Sequence, residues 1–448
     1  MAFSDARVVI YSPGRDASTA ESLATLIDGM ARLAWPAVVV RDPAAALDLV
    51  RNSAVQAVMI DARSDLDSAI SAAMALRTHL RPRATPIVGL GAAAAGAGAL
   101  EAFDLALSGD LHPAQAALRL EMLARSAVAE EELTLRSETF IDRLRAPLKA
   151  APSKGPLQIL TIGEPSPRFL QLDYELRALG AETTGAFTAY TAFDYLHEQS
   201  FDAVVLWSGD THAEALSIAG GMRRNTRLFH IPTILTLKPE AAVARADAFH
   251  RGLSDIINPG TSDQETGARI IALARRYRYE SAVRSALDMS RYAGLMKSAT
   301  GLFTRDLFAA HLARLAQAAT ARRRPLSVAV MRISDRPEAI RARSNGWLDQ
   351  ATPQIGSMIG RLVRMEDTAA RLASDVFALA LPAATHAAGR VAAERVAAVI
   401  ACTAFDAGEE QPAFTVDFDI GVAQLEPGES AAQTLERAAR SVLSRAVS

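Results

Sequence analysis

The sequence predicts an α/β chain built from three successive blocks, and three observations carry that reading. Over residues 1–130, short β-branched runs alternate with Ala/Leu-rich helical stretches, the pattern of a doubly wound parallel sheet covered by helices. The same alternation restarts at Leu157, a weak repeat at the scale of a domain. At 448 residues the chain has room for about three domains, taking ~150 residues for each.

The elements follow in order. In the first block (1–130) the strand-like runs are Arg7–Tyr11, Ala37–Val40, Ala54–Ile60 and Pro86–Leu90. The Ala-Gly stretch Gly91–Leu100 reads as a loop and helix start, because its residues are small and the run is short. A charged helical segment at Glu130–Arg145 leads into Ala-Pro-Ser-Lys-Gly-Pro at 151–156, so residues 131–156 read as a helical linker. The second block (157–278) has its runs at Gln158–Ile162, Phe201–Trp207, Thr233–Leu237 and Asp255–Ile257. A helix of mixed character, roughly Ala268–Met296, follows, and its part at 279–296 reads as a stalk into the third block (297–448).

Composition narrows the function classes. Half the residues are hydrophobic and 22% are charged, a globular balance. A formal net charge of −2 provides no global basic field, so nucleic acid is not an expected partner. One cysteine, Cys402, excludes an intramolecular disulfide framework and fits a cytoplasmic location. No basic-then-apolar leader is recognised, and no apolar run approaches the ~20 residues that span a bilayer.

The first two blocks resemble the CheY-like receiver domains of response regulators. The resemblance implies an acid pair after the first strand, an Asp phosphoacceptor ending the third, a Ser/Thr after the fourth and a Lys after the fifth. Metal and lysine would neutralise the transferring phosphoryl group. In the first block Ser12-Pro13 replaces the acid pair, Gly91 the Ser/Thr and His112-Pro113 the Lys-Pro, while Asp61 stands at the acceptor position. Asp61 is therefore a candidate phosphoacceptor, with a strand-end capping aspartate as the other reading. In the second block Trp207 holds the acceptor position, Glu164-Pro165 the acid pair and Asn258-Pro259 the Lys-Pro. Both blocks read as degenerate receivers and interaction platforms.

Arg364-Met-Glu-Asp367, followed by Arg371-Leu-Ala-Ser-Asp-Val-Phe377, resembles the centre of a GGDEF (diguanylate cyclase) domain. The likeness extends over most of 297–448. Lys297-Ser-Ala-Thr-Gly-Leu-Phe-Thr-Arg305 follows the family's opening motif, Leu326–Ile333 its first strand and Phe414-Thr-Val-Asp-Phe-Asp-Ile-Gly-Val-Ala423 a late strand. It implies an α/β domain with a central, mainly antiparallel sheet. Arg332 and Ser334 stand where the family places metal-binding acids, Ile340 where it reads guanine, Ala373-Ser374 where it has paired glycines and Ala446 where it has a phosphate-binding Lys. Asp349 and Asp375 match family positions.

Cyclisation of GTP is phosphoryl transfer that depends on Mg²⁺ and well-placed cations. A guanidinium at 332 reverses the sign of charge at the metal position, worth about 4 kcal/mol per unit-charge pair at ~4 Å and an effective dielectric of ~20. Missing glycines remove the close backbone approach to phosphates. The expectation is a protein with no catalytic residues, no metal and no cofactor, hence not an enzyme.

The family's product-binding motif is intact. By that resemblance, Arg364 and Asp367 bind cyclic di-GMP, with Arg395 in Ala392-Ala-Glu-Arg-Val396 as a third contact. A planar guanidinium can bond the O6/N7 edge of guanine, and a carboxylate suits the N1–H/N2–H edge. Guanidinium planes also stack on purines. Arg390 and Arg361 are candidate auxiliaries, and helical spacing would bring Arg361 and Arg364 onto one face.

A layout of two degenerate receivers and a degenerate GGDEF domain implies, by resemblance, a homodimer formed through receivers and stalk. The same resemblance implies a cyclic di-GMP effector that recruits protein adaptors and substrates to a ClpXP-type protease at a cell pole during cell-cycle control. A ligand-independent scaffold and a weak or GTP-sensing cyclase relative are the alternatives.

Overall fold

Consecutive apolar residues, all buried, mark the strands of the first sheet. Val8, Val9 and Ile10 are fully inaccessible, as are Val58, Met59 and Ile60, which requires helices on both faces. The computed structural model describes the chain except residues 1–6, 15–16, 81–84, 93–101, 145–147, 209–211, 239–242, 291–299, 409–410 and 446–448. The expected helix start in 91–100 and Lys297, Ala299 and Ala446 thus lie wholly or largely outside the described residues.

In chain order the first block comprises β1 (Val8–Tyr11), α1 (Ala17–Arg32), β2 (Ala37–Val40), α2 (Pro43–Asn52), β3 (Ala57–Asp61), α3 (Leu66–Leu80), β4 (Ile87–Leu90), β5 (Leu105–Leu107) and α4 (Pro113–Leu144). The sheet is parallel in the order β2-β1-β3-β4-β5. The second block repeats this plan with β6 (Leu157–Ile162), α5 (Pro167–Ala178), β7 (Ala181–Ala186), α6 (Ala189–Glu198), β8 (Ala203–Trp207), α7 (Ala213–Arg224), β9 (Thr233–Thr236), α8 (Arg245–His250), β10 (Asp255–Ile257) and α9 (Asp263–Ser290). Its parallel order is β10-β9-β8-β6-β7. Strand β7, Ala-Glu-Thr-Thr-Gly-Ala, has no apolar run to announce it; it sits at the sheet edge with its middle residues partly exposed.

The third block contains β11 (Phe303–Thr304), α10 (Arg305–Ala321), β12 (Leu326–Ile333), α11 (Pro337–Ser344), α12 (Trp347–Leu362), β13 (Thr368–Arg371), β14 (Val376–Pro382), α13 (His386–Ala401), β15 (Phe418–Gln424) and α14 (Ala431–Arg445). The sheet order is β11-β13-β14-β12-β15, antiparallel except for the short β11–β13 pair. Alternation along β12 divides the core in two. Ala329, Met331 and Ile333 pack in one cluster with Ile355 and Val396, while Val328 and Val330 join Phe308, Leu312 and Val442 in another. The expected α/β architecture of two parallel-sheet blocks and a mainly antiparallel third is what the chain adopts.

Two compact units emerge: Met1–Ala127 with Pro152–Ala282, and Val128–Ala151 with Val283–Ser448. In the first unit both parallel sheets share a core, in which Ile10 and Met59 cluster with Ile159, Val205 and Ile270. A buried polar contact joins them as well. Asp255 pairs with Arg269 through Nη2 at 2.6 Å and Nε at 2.8 Å, and Gln115 of α4 donates to the same carboxylate at 2.7 Å.

The linker reading of 131–156 needs correction. Residues 131–144 continue a single 32-residue helix, α4, and Val128–Ala151 packs within the second unit. Glu132, Arg136 and Phe140, spaced one turn apart, are at most 1% exposed, so a segment that reads as solvated charge has a buried face. The stalk is helical as far as Ser290. Among the described residues no helix is long and apolar enough to cross a membrane.

Candidate functional site

The Arg364–Asp367 motif is the turn between α12 and β13. Helix α12 ends at Leu362 because Val363 is extended (φ −80°, ψ 155°) and directs its side chain to the core. Arg364 is exposed. Its main-chain N–H donates to Asp367 Oδ2 at 2.9 Å, and its carbonyl accepts from the Asp367 N–H at 3.2 Å. A single helical face shared by Arg361 and Arg364 is therefore not formed: Arg361 is in the last turn of α12 and Arg364 lies beyond its end.

Asp367 is 8% exposed, and its carboxylate closes the turn by accepting from the Arg364 main-chain N–H. Burial, together with the neighbouring charge of Glu366, pushes its carboxyl up to about 7, against the opposing pull of the Arg364 N–H and guanidinium.

Arg395, on α13, donates through Nη2 to the carbonyl of Leu362 at 3.1 Å. A long-range fold contact thus brings it to the carbonyl end of α12, two residues before Arg364. Arg390 is one turn and a half earlier on α13 and pairs with Glu394 at 3.4 Å. Neither the Arg361 nor the Arg364 guanidinium takes part in a hydrogen bond or ion pair among the described residues. The site therefore presents two uncommitted guanidiniums at a solvent-facing turn with a third beside it, an arrangement suited to a planar, anionic ligand.

The face that the resemblance assigns to substrate carries its own internal ion pairs. Arg332, at the end of β12, pairs with Asp335 at 2.7 Å. Arg343 of α11 pairs with the same Asp335 at 2.9 Å and with Asp375 at 3.0 Å. Those two arginines hold the Asp335 carboxyl below its usual range, the Arg343 hydrogen bond first. Ser334 donates to Asp419 at 2.9 Å. The Ala373-Ser374 turn is clamped by Arg371, whose Nε and Nη2 donate to the carbonyls of Ala373 (3.0 Å) and Ser374 (2.9 Å). Neither residue is at positive φ, so the turn forms without the conformations that glycine permits. Ile340 is 46% exposed on α11, and Asp349 lies exposed in the first turn of α12. Among the described residues no cluster of His, Cys, Asp and Glu could hold a metal ion.

In the first block Asp61 ends β3 at 3% exposure. Arg63 grips it bidentately, Nε to Oδ1 at 2.8 Å and Nη2 to Oδ2 at 2.9 Å, and Ser12 Oγ donates to Oδ2 at 3.0 Å. Burial alone would raise its pKa, but Arg63 and Ser12 carry it below the usual range. Gly91, at φ +80°, leaves the space: a Cβ there would meet Arg63 Cγ at 2.4 Å. In the second block a Cβ on Gly163 (φ +143°) would meet Trp207 Cβ at 2.6 Å, and the indole stacks obliquely on Phe169 at 5.8 Å. Packing fills that acceptor position.

Sequence reasoning missed Asp335 and Arg343, which complete the network around Asp375, and Arg63, which holds Asp61. The Asp61–Arg63 spacing was a local signal; the Arg343–Asp375 pair, 32 residues apart, left none.

With this geometry in place, comparison with known proteins gives the class. Residues 295–447 match the family described as "Diguanylate cyclase, GGDEF domain", so the third block is a GGDEF domain. Over 238 residues the chain is 23% identical to the response regulator PleD of Caulobacter vibrioides strain NA1000/CB15N, covering 53% of this chain and 52% of PleD. The PleD of strain ATCC 19089/CB 15 matches equally. The chain spans about half the length of the curated relatives it matches. Among solved structures it is similar to the FimX GGDEF domain of Pseudomonas aeruginosa (22% identity, 33% of this chain and 91% of that one, TM-score 0.30). It is also similar to the GGDEF domain of DgcB from Caulobacter crescentus in complex with c-di-GMP (22% identity, 33% of this chain and 84% of that one, TM-score 0.30).

Proposed function

We propose that this protein is a catalytically silent receptor that binds cyclic di-GMP at Arg364, Asp367 and Arg395, with Arg361 and Arg390 as auxiliaries, and acts by protein–protein interaction. The observation that carries this reading is a contrast in how the arginines are used. On the face that the resemblance assigns to substrate, Arg332, Arg343 and Arg371 are committed to internal partners and Asp335 and Asp375 are already paired. Binding Mg²⁺–GTP there would require breaking several of those pairs. At the RxxD turn the Arg361 and Arg364 guanidiniums are exposed and, among the described residues, uncommitted.

Asp61 is proposed to be structural, a strand-end carboxylate already neutralised by Arg63, and the two receiver-like blocks are proposed to be interaction platforms that dimerise together with the stalk. In layout the chain resembles the PleD-like effector PopA. That resemblance implies recruitment of adaptor and substrate proteins to a ClpXP-type protease at a cell pole.

Isothermal titration of the full chain tests the ligand assignment. Cyclic di-GMP should bind at ~1 μM or tighter, about −8 kcal/mol, and Arg364→Ala should weaken binding at least 10-fold. Incubation with GTP and Mg²⁺ should yield no cyclic di-GMP above background. Absence of binding by the wild type, or measurable product, overturns the corresponding half of the proposal.

A further inference from the structure

The RxxD turn rests on a buried polar cluster contributed by α4. The Glu132 and Arg136 side chains are 0% and 2% exposed. Glu132 Oε1 accepts from Arg136 Nη2 at 2.6 Å and Nε at 3.0 Å, accepts from Thr368 Oγ1 at 2.9 Å, and lies 2.9 Å from His311 Nε2. His311 is itself fully buried, with Thr139 Oγ1 3.1 Å from its other ring nitrogen.

Arg136 reaches in two further directions. Nη2 is 3.1 Å from Thr368 Oγ1 and 3.5 Å from the Met365 carbonyl. Nη1 donates to Ser290 Oγ at 3.0 Å and to the Leu287 carbonyl at 3.4 Å. Met365 is the second residue of the motif, and Thr368 directly follows Asp367. Leu287 and Ser290 belong to the last turn of α9. One guanidinium therefore holds both the ligand turn and the end of the stalk helix.

Stability does not explain this choice, since an apolar pair of similar volume in a buried site is often at least as stable as an ion pair. What a planar five-donor fork supplies, and an apolar side chain lacks, is fixed direction. We infer that Glu132 and Arg136 are positioning residues for the RxxD turn, and that they couple ligand occupancy to the last turn of α9. This rests on the cyclic di-GMP reading. By linkage the coupling runs both ways: ligand at Arg364 steadies α9, and fraying of α9 weakens ligand binding.

The test combines cyclic di-GMP titration with hydrogen exchange on the full chain. In the wild type, ligand should slow amide exchange at 365–368 and in the α9 turn at 283–290. Arg136→Lys keeps a charge for Glu132 but loses the fork. It should weaken binding about 10-fold, a coupling of about 1.4 kcal/mol, and abolish ligand-induced protection at 283–290. Thr368→Val, which leaves the ion pair intact, should weaken binding about 3-fold and serves as the deciding variant if Arg136→Lys fails to fold by circular dichroism. A purely structural role would lower the melting temperature while leaving Kd and the protection pattern unchanged, and that result overturns the inference. No binding by the wild type overturns the ligand reading itself, whereas binding without any protection at 283–290 overturns only the coupling.

Discussion

Asp367 and Glu132, both buried beside the RxxD turn, respond to pH in opposite senses. The Asp367 carboxyl titrates at about 7 in the folded chain, against about 3.9 when unfolded. The folded state therefore holds a proton that the unfolded state gives up. The resulting stabilisation is complete below about pH 4, erodes as pH rises and is gone above about pH 7, on the order of 4 kcal/mol in all. Asp367→Asn preserves an acceptor for the Arg364 N–H without acquiring charge. Urea unfolding should show this variant more stable than wild type at pH 8 and indistinguishable from it at pH 4; equal stability at both pH values would refute the assignment. Glu132 runs the other way. Contacts with His311 and Arg136 overcome the burial penalty and bring its carboxyl down to about 2, so its contribution is present above about pH 4.5 and is lost toward pH 2. The departures from the family pattern were readable without a structure: Arg332, Ser334 and Ala373-Ser374 each stand where the resemblance expects another residue. Their partners were not, because Asp335, Arg343 and Asp375 meet only after α11 folds back beside β12 and the β13–β14 turn.

At the scale of elements, β15 and α14 depend on one glycine. A Cβ on Gly421 would stand 2.1 Å from the Ala438 carbonyl oxygen and 2.9 Å from Val442 Cγ2. The first of these is backbone, so no rotamer change relieves it. Gly421→Ala should separate helix from strand and cost roughly 3 kcal/mol, seen as a lower urea midpoint; a loss under about 0.5 kcal/mol would show that α14 packs loosely. That glycine was legible as part of a Gly-Val motif on a strand. Strand β7 was not, since an edge strand with one packed face needs no apolar run. Helix α4 was legible only in part. Its charges at Glu131, Glu132 and Arg136 follow the pattern of a solvated helix, and only tertiary partners such as Arg322 at 2.5 Å and Arg324 for Glu131 reveal a buried polar face.

On the scale of the whole molecule, the two compact units draw on separate cores. The clusters of Ile10 and Leu206 belong to the first, and those of Ile355, Phe308 and Leu287 to the second. The three tryptophans divide between them. Trp35 and Trp207 report on the first unit, and Trp347, against Phe414 at 6.4 Å, on the second. The ligand proposed for the RxxD turn would contact residues of the second unit, so mass action should stabilise that unit by about 2.7 kcal/mol at 100-fold excess over Kd. A variant retaining Trp347 as its only indole should show a melting transition raised by about 5–10 °C with cyclic di-GMP. Emission from Trp35 and Trp207 in a Trp347→Phe variant should melt at an unchanged temperature. Asp255→Ala provides the converse. It leaves Arg269, 6% exposed, with only Glu265 at 3.5 Å as a carboxylate partner, and should cost the first unit about 3 kcal/mol while the Trp347 transition stays in place. If ligand and Asp255→Ala both moved the two signals together, independent unfolding of the two units would be refuted.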